Sequence, residues 1–513
     1  MRVRHEQSRP SVARPRRARR WSTAVLVALA VALALASSVS ASPTQVTTLE
    51  PASYVLRDDT REETLDDVLA LGVRHLRVLL QWRDVAPAAF EATRPAFDAT
   101  DPEAYDWGRY DRLFQATRAR GMRIALTISG PAPRWATRDR TDHVTRPSPA
   151  EFGRFATAVG RRYRNDVRAW SIWNEPNLEF FLKPQFAAGR PVAGQLYRAL
   201  FIAGERGLTA SGNGSDTILM GETAPGGRSD RMAPIPFLQQ VLCLDRRFRP
   251  LRGCPKLAAD GWAHHPYSFR PVPVPFYRPP DPGNVSLGVL ARLESALDRA
   301  AALGRIRARM PIHVTEYGLQ SYPDTLLGVP TARQAEYLSL SELIAWADPR
   351  VHSFSQYLIR DDDIDASPGS RYGGFESGLR FADGRKKPAY DAFRLPLVAV
   401  RDGSAVRLWG RVRGARRPVV VRVLSGPCKG GGARAPIKSA VTDAGGVWTS
   451  VVPFKPRRCW SVRATGGASG GAIPKGPPVH SFALSRFTPE SRPSVARALG
   501  LPGASARATA RRR

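Results

Sequence analysis

Lysine is scarce in this chain: only eight of its 77 basic residues are Lys, the rest are Arg, and 45 acids leave a formal charge of +32. Such a skew toward Arg reads as codon usage in a GC-rich genome at least as well as selection for a polyanion. The body has no Lys/Arg-rich run with interleaved aromatics, so no nucleic-acid partner is expected. Cysteine is scarcer still. The four Cys have no C-x-x-C spacing and no His cluster beside them, which excludes a zinc site and a disulfide-dense miniature scaffold. No Gly-rich phosphate turn follows any β-like run, which argues against a doubly wound nucleotide-binding sheet; neither cofactor nor metal is expected. The apolar run Ala24 to Ala36 has 13 residues, short of the roughly 20 that span a bilayer. What remains is ordinary for a folded protein. With 513 residues, 43% hydrophobic and 24% charged, the chain is neither disordered nor collagen-like. Its length suits two to four domains, or fewer if one is a barrel of about 250 residues.

The N-terminus has the shape of an export signal. Eight Arg and one Glu within residues 1–20 precede the apolar run, and Val39-Ser40-Ala41 offers small residues for cleavage before Ser42. Residues 1–41 are therefore expected to be removed, with an uncleaved anchor over Trp21 to Val39 as the alternative; either way the body is secreted or held at the cell envelope. Export permits disulfides, which pairs Cys243 with Cys254 and Cys428 with Cys459 as local staples. The signal holds +7 of the charge, and residues 466–513 hold another +7, with eight bases against Glu490. This Arg-rich tail is available to touch an anionic cell envelope. Residues 42–465 keep +18, mixed in sign. The heptapeptide SRPSVAR occurs at both 8–14 and 491–497.

Between the termini a rhythm of strand and helix recurs. Short apolar, β-branched runs begin near Val46, His75, Met122, Val167, Asp216, Gly261, Pro311 and Val351. Amphipathic stretches intervene at Thr64–Leu71, Ala104–Arg118, Ser148–Arg164, Val192–Leu208, Leu287–Leu303 and Ala332–Trp346. Gly72, Gly121, Gly212 and Gly304 fit helix C-caps. Eight such units predict an α/β fold, a (β/α)8 TIM barrel over residues 42–396 that ends with a helix at Lys386–Phe393; a doubly wound open sheet is the alternative. Residues 397–465 then alternate apolar and polar, with Gly-rich turns at Gly430–Gly432 and Asp443–Gly446, and predict a small all-β sandwich. Residues 466–513 read as a Gly/Pro linker and a disordered basic tail.

The chemistry is expected at the strand ends. Trp170-Ser171-Ile172-Trp173-Asn174-Glu175-Pro176-Asn177 is an apolar strand that stops abruptly in an amide, a carboxylate and a proline. Pro311-Ile312-His313-Val314-Thr315-Glu316-Tyr317-Gly318 stops in the same way. Topping the fourth and seventh strands, Glu175 and Glu316 would face each other across one barrel mouth. Two carboxyls so placed suit cleavage of a glycosidic bond, one protonating the leaving oxygen while the other attacks the anomeric carbon or activates water.

The Asn-Glu-Pro ending of strand four with a Glu ending strand seven resembles the clan A glycoside hydrolases. WNEPN followed by Leu178 looks most like family 39, with family 5 close behind, over residues 46–393. That resemblance implies a retaining glycosidase acting on β-linked carbohydrate, with Glu175 as acid/base, Glu316 as nucleophile and a carboxyl separation of roughly 5 to 5.5 Å. It also implies supporting roles. Arg77 would hold the nucleophile ionised, Asn174 would bind the sugar 2-hydroxyl, and His265 with Tyr267 looks like the clan's His-x-Tyr, whose Tyr contacts the nucleophile. Gln356 and Tyr357 stand where family 5 commonly has Trp, and Tyr317 follows the nucleophile where family 39 often has Trp. Subfamily and substrate stay open on those departures.

Plainer readings stand beside these. The two Glu could be structural ion-pair partners of Arg77 and His264 or His265, and Arg77 would face the helix layer if its strand's alternation were inverted. Parity alone does not choose between His264 and His265; the spacing to Tyr267 favours the latter. Trp82, Trp135 and Trp173 could stack on sugars or fill the core. The cluster Asp361-Asp362-Asp363-Ile364-Asp365 lacks the Gly and Glu of a calcium loop, and a solvated loop at the barrel mouth is expected. A carbohydrate-binding or envelope-attached protein on a glycosidase-like barrel is the alternative function. Transfer of the glycosyl unit to another sugar would use the same residues.

Overall fold

The computed structural model describes residues 41–42, 44–268, 273–363, 374–428, 433–465 and 476–501. The expected export signal, the Gly430–Gly432 turn and most of the Gly/Pro linker lie outside the described residues. Among the described residues no helix is long and apolar enough to cross a membrane.

Eight strands close into a barrel: β1 (Val46–Glu50), β2 (His75–Gln81), β3 (Arg123–Ser129), β4 (Val167–Ile172), β5 (Thr217–Thr223), β6 (Gly261–His264), β7 (Ile312–Val314) and β8 (Val351–Tyr357). Neighbouring strands are parallel, and β8 returns to β1 in the register Val46↔Ser353 through Glu50↔Tyr357. Strand alternation sorts the side chains. On β2, Leu76, Val78 and Leu80 join the barrel's apolar core, whereas Arg77 reaches Thr127 of β3 inside the barrel, and Leu79 and Gln81 line its mouth.

The helices α1 (Arg61–Ala70), α2 (Gly108–Ala119), α3 (Pro149–Tyr163), α4 (Ala193–Leu208), α5 (Pro234–Val241), α6 (Ala291–Ala302), α7 (Thr331–Trp346) and α8 (Pro388–Arg394) follow the strands in order. The pattern found all but α5. That helix is eight residues long with two prolines, too short to display a helical period. α3 starts where its chemistry dictates, with the Ser148 hydroxyl accepting from the Glu151 amide and Pro149 at the first helical position. Gly72 closes α1 at φ +82°, a backbone that glycine adopts without strain, and a Cβ there would meet the Arg413 carbonyl.

Arg413 belongs to the C-terminal domain. β10 (Ala405–Arg411) lies between β9 (Leu397–Asp402) and β13 (Val447–Pro453) in one sheet. The facing sheet has β11 (Val420–Pro427) flanked by β12 (Ala435–Val441) and β14 (Arg458–Thr465). Their inner faces share a second core that includes Leu408, Val421, Val423, Trp448, Trp460 and Val462, which makes a β-sandwich. The Cys428–Cys459 disulfide ties β11 to β14, and Cys243–Cys254 closes the loop after α5. Barrel and sandwich meet through the buried Arg413, which pairs with Glu342 of α7 and donates to Thr47 Oγ1 at 2.7 Å and the Phe393 carbonyl at 2.8 Å. Removing it would leave the buried Glu342 with only the longer pair to Arg411, at 3.4 Å.

Two sequence expectations change. The tail is ordered over residues 476–501: β15 (Ser481–Ala483) adds to the sheet edge in parallel with β9, and α9 (Arg492–Ala498) buries Val495, Ala496 and Ala498. Phe482, Phe487 and Leu499 join that apolar face, which a composition dominated by Arg, Pro and Gly conceals. The second SRPSVAR copy makes most of α9; the first lies outside the described residues. Nor is the acidic cluster simply solvated. Asp361 is buried and accepts from Lys387 Nζ at 2.6 Å, while Asp362 accepts from the Phe375 amide at 2.8 Å. Both carboxylates thereby brace the loop after β8, whose residues 364–373 lie outside the described set.

Candidate active site

Strand ends converge on one guanidinium. Arg77 Nη1 donates to Glu50 and, at 2.6 Å, to Glu316 Oε1, while Nη2 donates to Asn174 Oδ1 at 2.7 Å and Glu222 Oε2 at 2.5 Å. Four barrel strands, β1, β4, β5 and β7, thus deliver a polar group at their C-terminal ends to a cation from β2. Burying that cation is tolerable only because it is surrounded by carboxylates. Two of the chain segments turn through left-handed backbone there, Trp173 and Glu175 after β4 and Glu222 in β5. Such conformations cost energy for non-glycine residues and gather where function holds them. The Glu175 amide donates to the Glu222 carbonyl at 3.0 Å and locks the two strand ends together.

His265, just past β6, stands between the two candidate catalytic carboxyls. Its Nδ1 lies 3.0 Å from Glu175 Oε1 and 3.5 Å from Glu316 Oε2, and its Nε2 3.1 Å from Thr315 Oγ1. The neighbouring His264 turns the other way, bonded to Thr223 Oγ1 and the Val285 carbonyl; burial presses it down to about 3, so it stays neutral. Tyr267 donates to Glu316 Oε2 at 3.0 Å. An oxygen of Glu175 and an oxygen of Glu316 lie within 4.8 Å of each other.

These surroundings separate the two acids. Burial raises Glu175 above the ordinary carboxyl range, and its hydrogen bond with His265 only partly offsets this. Glu316 is buried too, but the charges of His265 and Arg77 and the hydrogen bond from Tyr267 outweigh that burial and hold it below the ordinary range. Burial also pushes Glu50 up to about 8 despite Arg77. His265 is raised, the two carboxylates overcoming the effect of burial. One acid is thus biased to keep its proton and its partner to lose it, the division of labour that a proton donor and a nucleophile need.

The pair opens on a cleft of about 730 Å³, lined in part by Gln81, Asn174, Tyr267, Tyr277, Tyr357 and Phe375. Asn174 spends its Oδ1 on Arg77, which leaves its Nδ2 as a donor toward the cleft. Glu175 and Glu316 keep 15% and 10% of their side-chain surface open, whereas Glu222 keeps none. Glu222 therefore acts through Arg77 and Thr127 and cannot touch a substrate.

Of the residues expected at the site, Arg77, Asn174, Glu175, His265, Tyr267, Glu316 and Tyr357 come together. The three tryptophans do not. Trp82 stacks on Phe155 with centroids 5.3 Å apart and meets Trp135 edge-on, while Trp173 packs against Phe152 and Gly130. All three are core residues of the barrel wall, between β-strand ends and α3. Tyr317 and Gln356 also serve structure, the former bonded to Ser341 of α7 and the latter to carbonyls of the loop after β8. Two residues were overlooked, Glu50 and Glu222. Each carries a carboxylate at a strand's C-terminal end, the same signal that located Glu175 and Glu316.

A cation could in principle use Glu175, His265 and Glu316, whose donor atoms are mutually within 4.8 Å. In this structure those donor atoms are engaged with protein groups instead, Glu316 with Arg77 and Tyr267 and Glu175 with the imidazole. Cys428, Cys459 and His480 also cluster, but the two sulfurs are joined in a disulfide and offer no thiolate.

No protein-family model and no curated protein matches this chain. Solved structures similar to it include a family 39 glycoside hydrolase from the gut symbiont Bacteroides cellulosilyticus WH2, at 16% identity over 82% of this chain and 81% of that one, with a TM-score of 0.48. A glucosidase from Croceicoccus marinus aligns at 12% identity over 83% and 96% of the two chains, with a TM-score of 0.49. A β-glucosidase from Exiguobacterium marinum aligns at 16% over 68% and 96%, with a TM-score of 0.44. The similarity is low in each case, and the chemistry rests on the groups in the cleft.

Proposed function

We propose that this protein is an exported, cofactor-independent retaining glycoside hydrolase that cleaves β-linked oligo- or polysaccharide by double displacement. The observation that carries the reading is the pair Glu175 and Glu316, oxygens within 4.8 Å, with acidities pushed in opposite directions. Oxygens this close fit direct attack by a carboxylate, the arrangement in which the two carboxyl groups lie roughly 5 to 5.5 Å apart. In the first step Glu316 attacks the anomeric carbon while Glu175 gives its proton to the departing oxygen. In the second, Glu175 takes a proton from water, which displaces Glu316 and releases the sugar. Arg77 and Tyr267 stabilise Glu316 as a carboxylate between turnovers, and the free amide donor of Asn174 is available to a sugar hydroxyl beside the reacting carbon. The two disulfides support export to an oxidising compartment.

The pH dependence follows from the two directions. Turnover needs Glu316 ionised and Glu175 protonated. Activity should fall on the acid side only below the ordinary carboxyl range, as Glu316 gains a proton, and on the alkaline side above that range, as Glu175 loses one. Glu50 and His265 titrate with them, so the limbs belong to the cluster. Measuring kcat/KM for an aryl glycoside across pH tests this; an alkaline limb at or below the ordinary value for a glutamic acid would contradict it.

A further inference from the structure

The catalytic cleft does not end at its rim. A second cavity of about 1130 Å³ continues from it and shares Gly227, Arg228 and Arg231 with it. Its wall is α5 and the loop beyond, including Ile235, Gln239, Arg246 and Arg252. Cys243 and Cys254 clasp that loop at both ends, and Phe237, Leu238, Val241, Leu242 and Leu244 anchor the wall in the apolar core beneath it.

The charge along this groove is predominantly positive. Arg228, Arg231, Arg246 and Arg252 line it, against Asp245 and Asp281. Both acids are committed to their own loops. Asp245 accepts from the amides of Arg247 and Arg249, each at 2.8 Å, and from Arg249 Nε at 2.6 Å; Asp281 accepts from the Gly283 amide at 2.7 Å. Arg231 pairs with the exposed Asp230, and its charge also reaches Glu175. Arg228, Arg246 and Arg252 form no ion pair with any described residue. Three exposed guanidinium groups with unused donors, set along a track that leads away from the cut bond, match a chain bearing repeated anionic groups. Bases of a nucleic acid would need a run of open aromatic faces to stack on; of the two aromatics in the groove, Phe248 is covered by the Arg299 guanidinium 3.8 Å away and Phe186 alone is exposed.

We propose that this groove holds the acidic units of an anionic polysaccharide, carboxylate- or sulfate-bearing, whose neighbouring bond lies over Glu175 and Glu316. The proposal rests on the glycosidase reading for the cut itself; the binding it asserts stands apart from turnover. The test compares the wild-type chain with the double variant R246A/R252A on alginate, xanthan and hyaluronan. Each polymer is paired with its carboxyl-reduced, neutral form, and dextran sulfate serves as the sulfate arm. Binding is measured by calorimetry with E316Q in both backgrounds, and turnover by reducing ends released.

The expected result is a preference for at least one acidic polymer over its reduced form that shrinks about five- to tenfold in the double variant, the loss expected of two exposed charge contacts. The same preference should weaken as salt is raised. A response to the uronate polymers alone or to dextran sulfate alone identifies which anionic group is read, and either supports the groove. Binding of this kind without turnover supports the groove and overturns the hydrolase reading. Equal affinity for acidic and reduced polymers, an unchanged preference in the double variant, or single-stranded DNA bound as tightly as the glycans would overturn the proposal.

Discussion

Replacing Glu316 by Gln is expected to lower turnover of an activated aryl glycoside by roughly 10⁴-fold or more, about 5 kcal/mol of barrier. The amide keeps the shape of the side chain but cannot attack the anomeric carbon. It also removes the negative charge that Arg77 and His265 surround, so the buried cation loses one of the three carboxylates that flank it. Folding must therefore be checked beside activity. Glu50 and Glu222 remain against Arg77, and the thermal transition should survive. Steady-state rates and a melting curve on the same sample separate the two effects. Activity within tenfold of the parent would remove Glu316 from the nucleophile's role.

Glu175→Ala should behave differently, because this residue serves both steps. With a dinitrophenyl glycoside, whose leaving group needs no proton, the first step proceeds and the glycosyl enzyme accumulates. With poor leaving groups the loss should reach roughly 10²- to 10⁴-fold, the usual share of a general acid. Azide, which attacks without a base and fits the space the carboxyl vacates, should restore turnover of the activated substrate and yield a glycosyl azide of retained configuration. The burst seen without azide and the product formed with it are both measurable in one experiment. A variant that azide leaves unchanged, or one as active as the parent on poor leaving groups, would assign the proton transfer to another residue.

The sequence carried the barrel because each strand declares itself through apolar runs at regular intervals, and because Glu175 and Glu316 break those runs at their ends. His265 was separable from His264 only through its spacing to Tyr267; the geometry that distinguishes them, one ring turned to Glu175 and the other to Thr223, depends on where β6 stops. The tryptophans show what the pattern could not carry. Trp82 and Trp173 flank strand ends in sequence, yet the left-handed backbone at Trp173 and the aromatic layer of α3 turn both rings into the wall. Glu50 and Glu222 were legible by the same rule as the catalytic pair but lie in strands with no motif to draw attention to them. The arginine groove and the docked tail arise from loops and from contacts between residues far apart in the chain, such as Arg278 with Glu490 and Gly288 with Thr488, for which a local pattern has no signal.

The charge of the chain acquires a more definite location in this light. Part of the +18 carried by residues 42–465 lines a cavity continuous with the candidate active site, while many other arginines are engaged with acids on the surface, as Arg120 is with Glu62 and Asp66. Pairs of that exposed kind contribute little individually.

The central claim is that Glu316 forms a covalent bond to the sugar. Incubation with an activated 2-deoxy-2-fluoro glycoside, whose second step is slowed by the fluorine, followed by proteolysis and mass spectrometry, tests it most directly. Time-dependent inactivation is expected, with a fluoroglycosyl adduct on the peptide that contains Thr315-Glu316-Tyr317. An adduct on another residue, or turnover of a parent glycoside whose first-formed product has the inverted anomeric configuration, would contradict it.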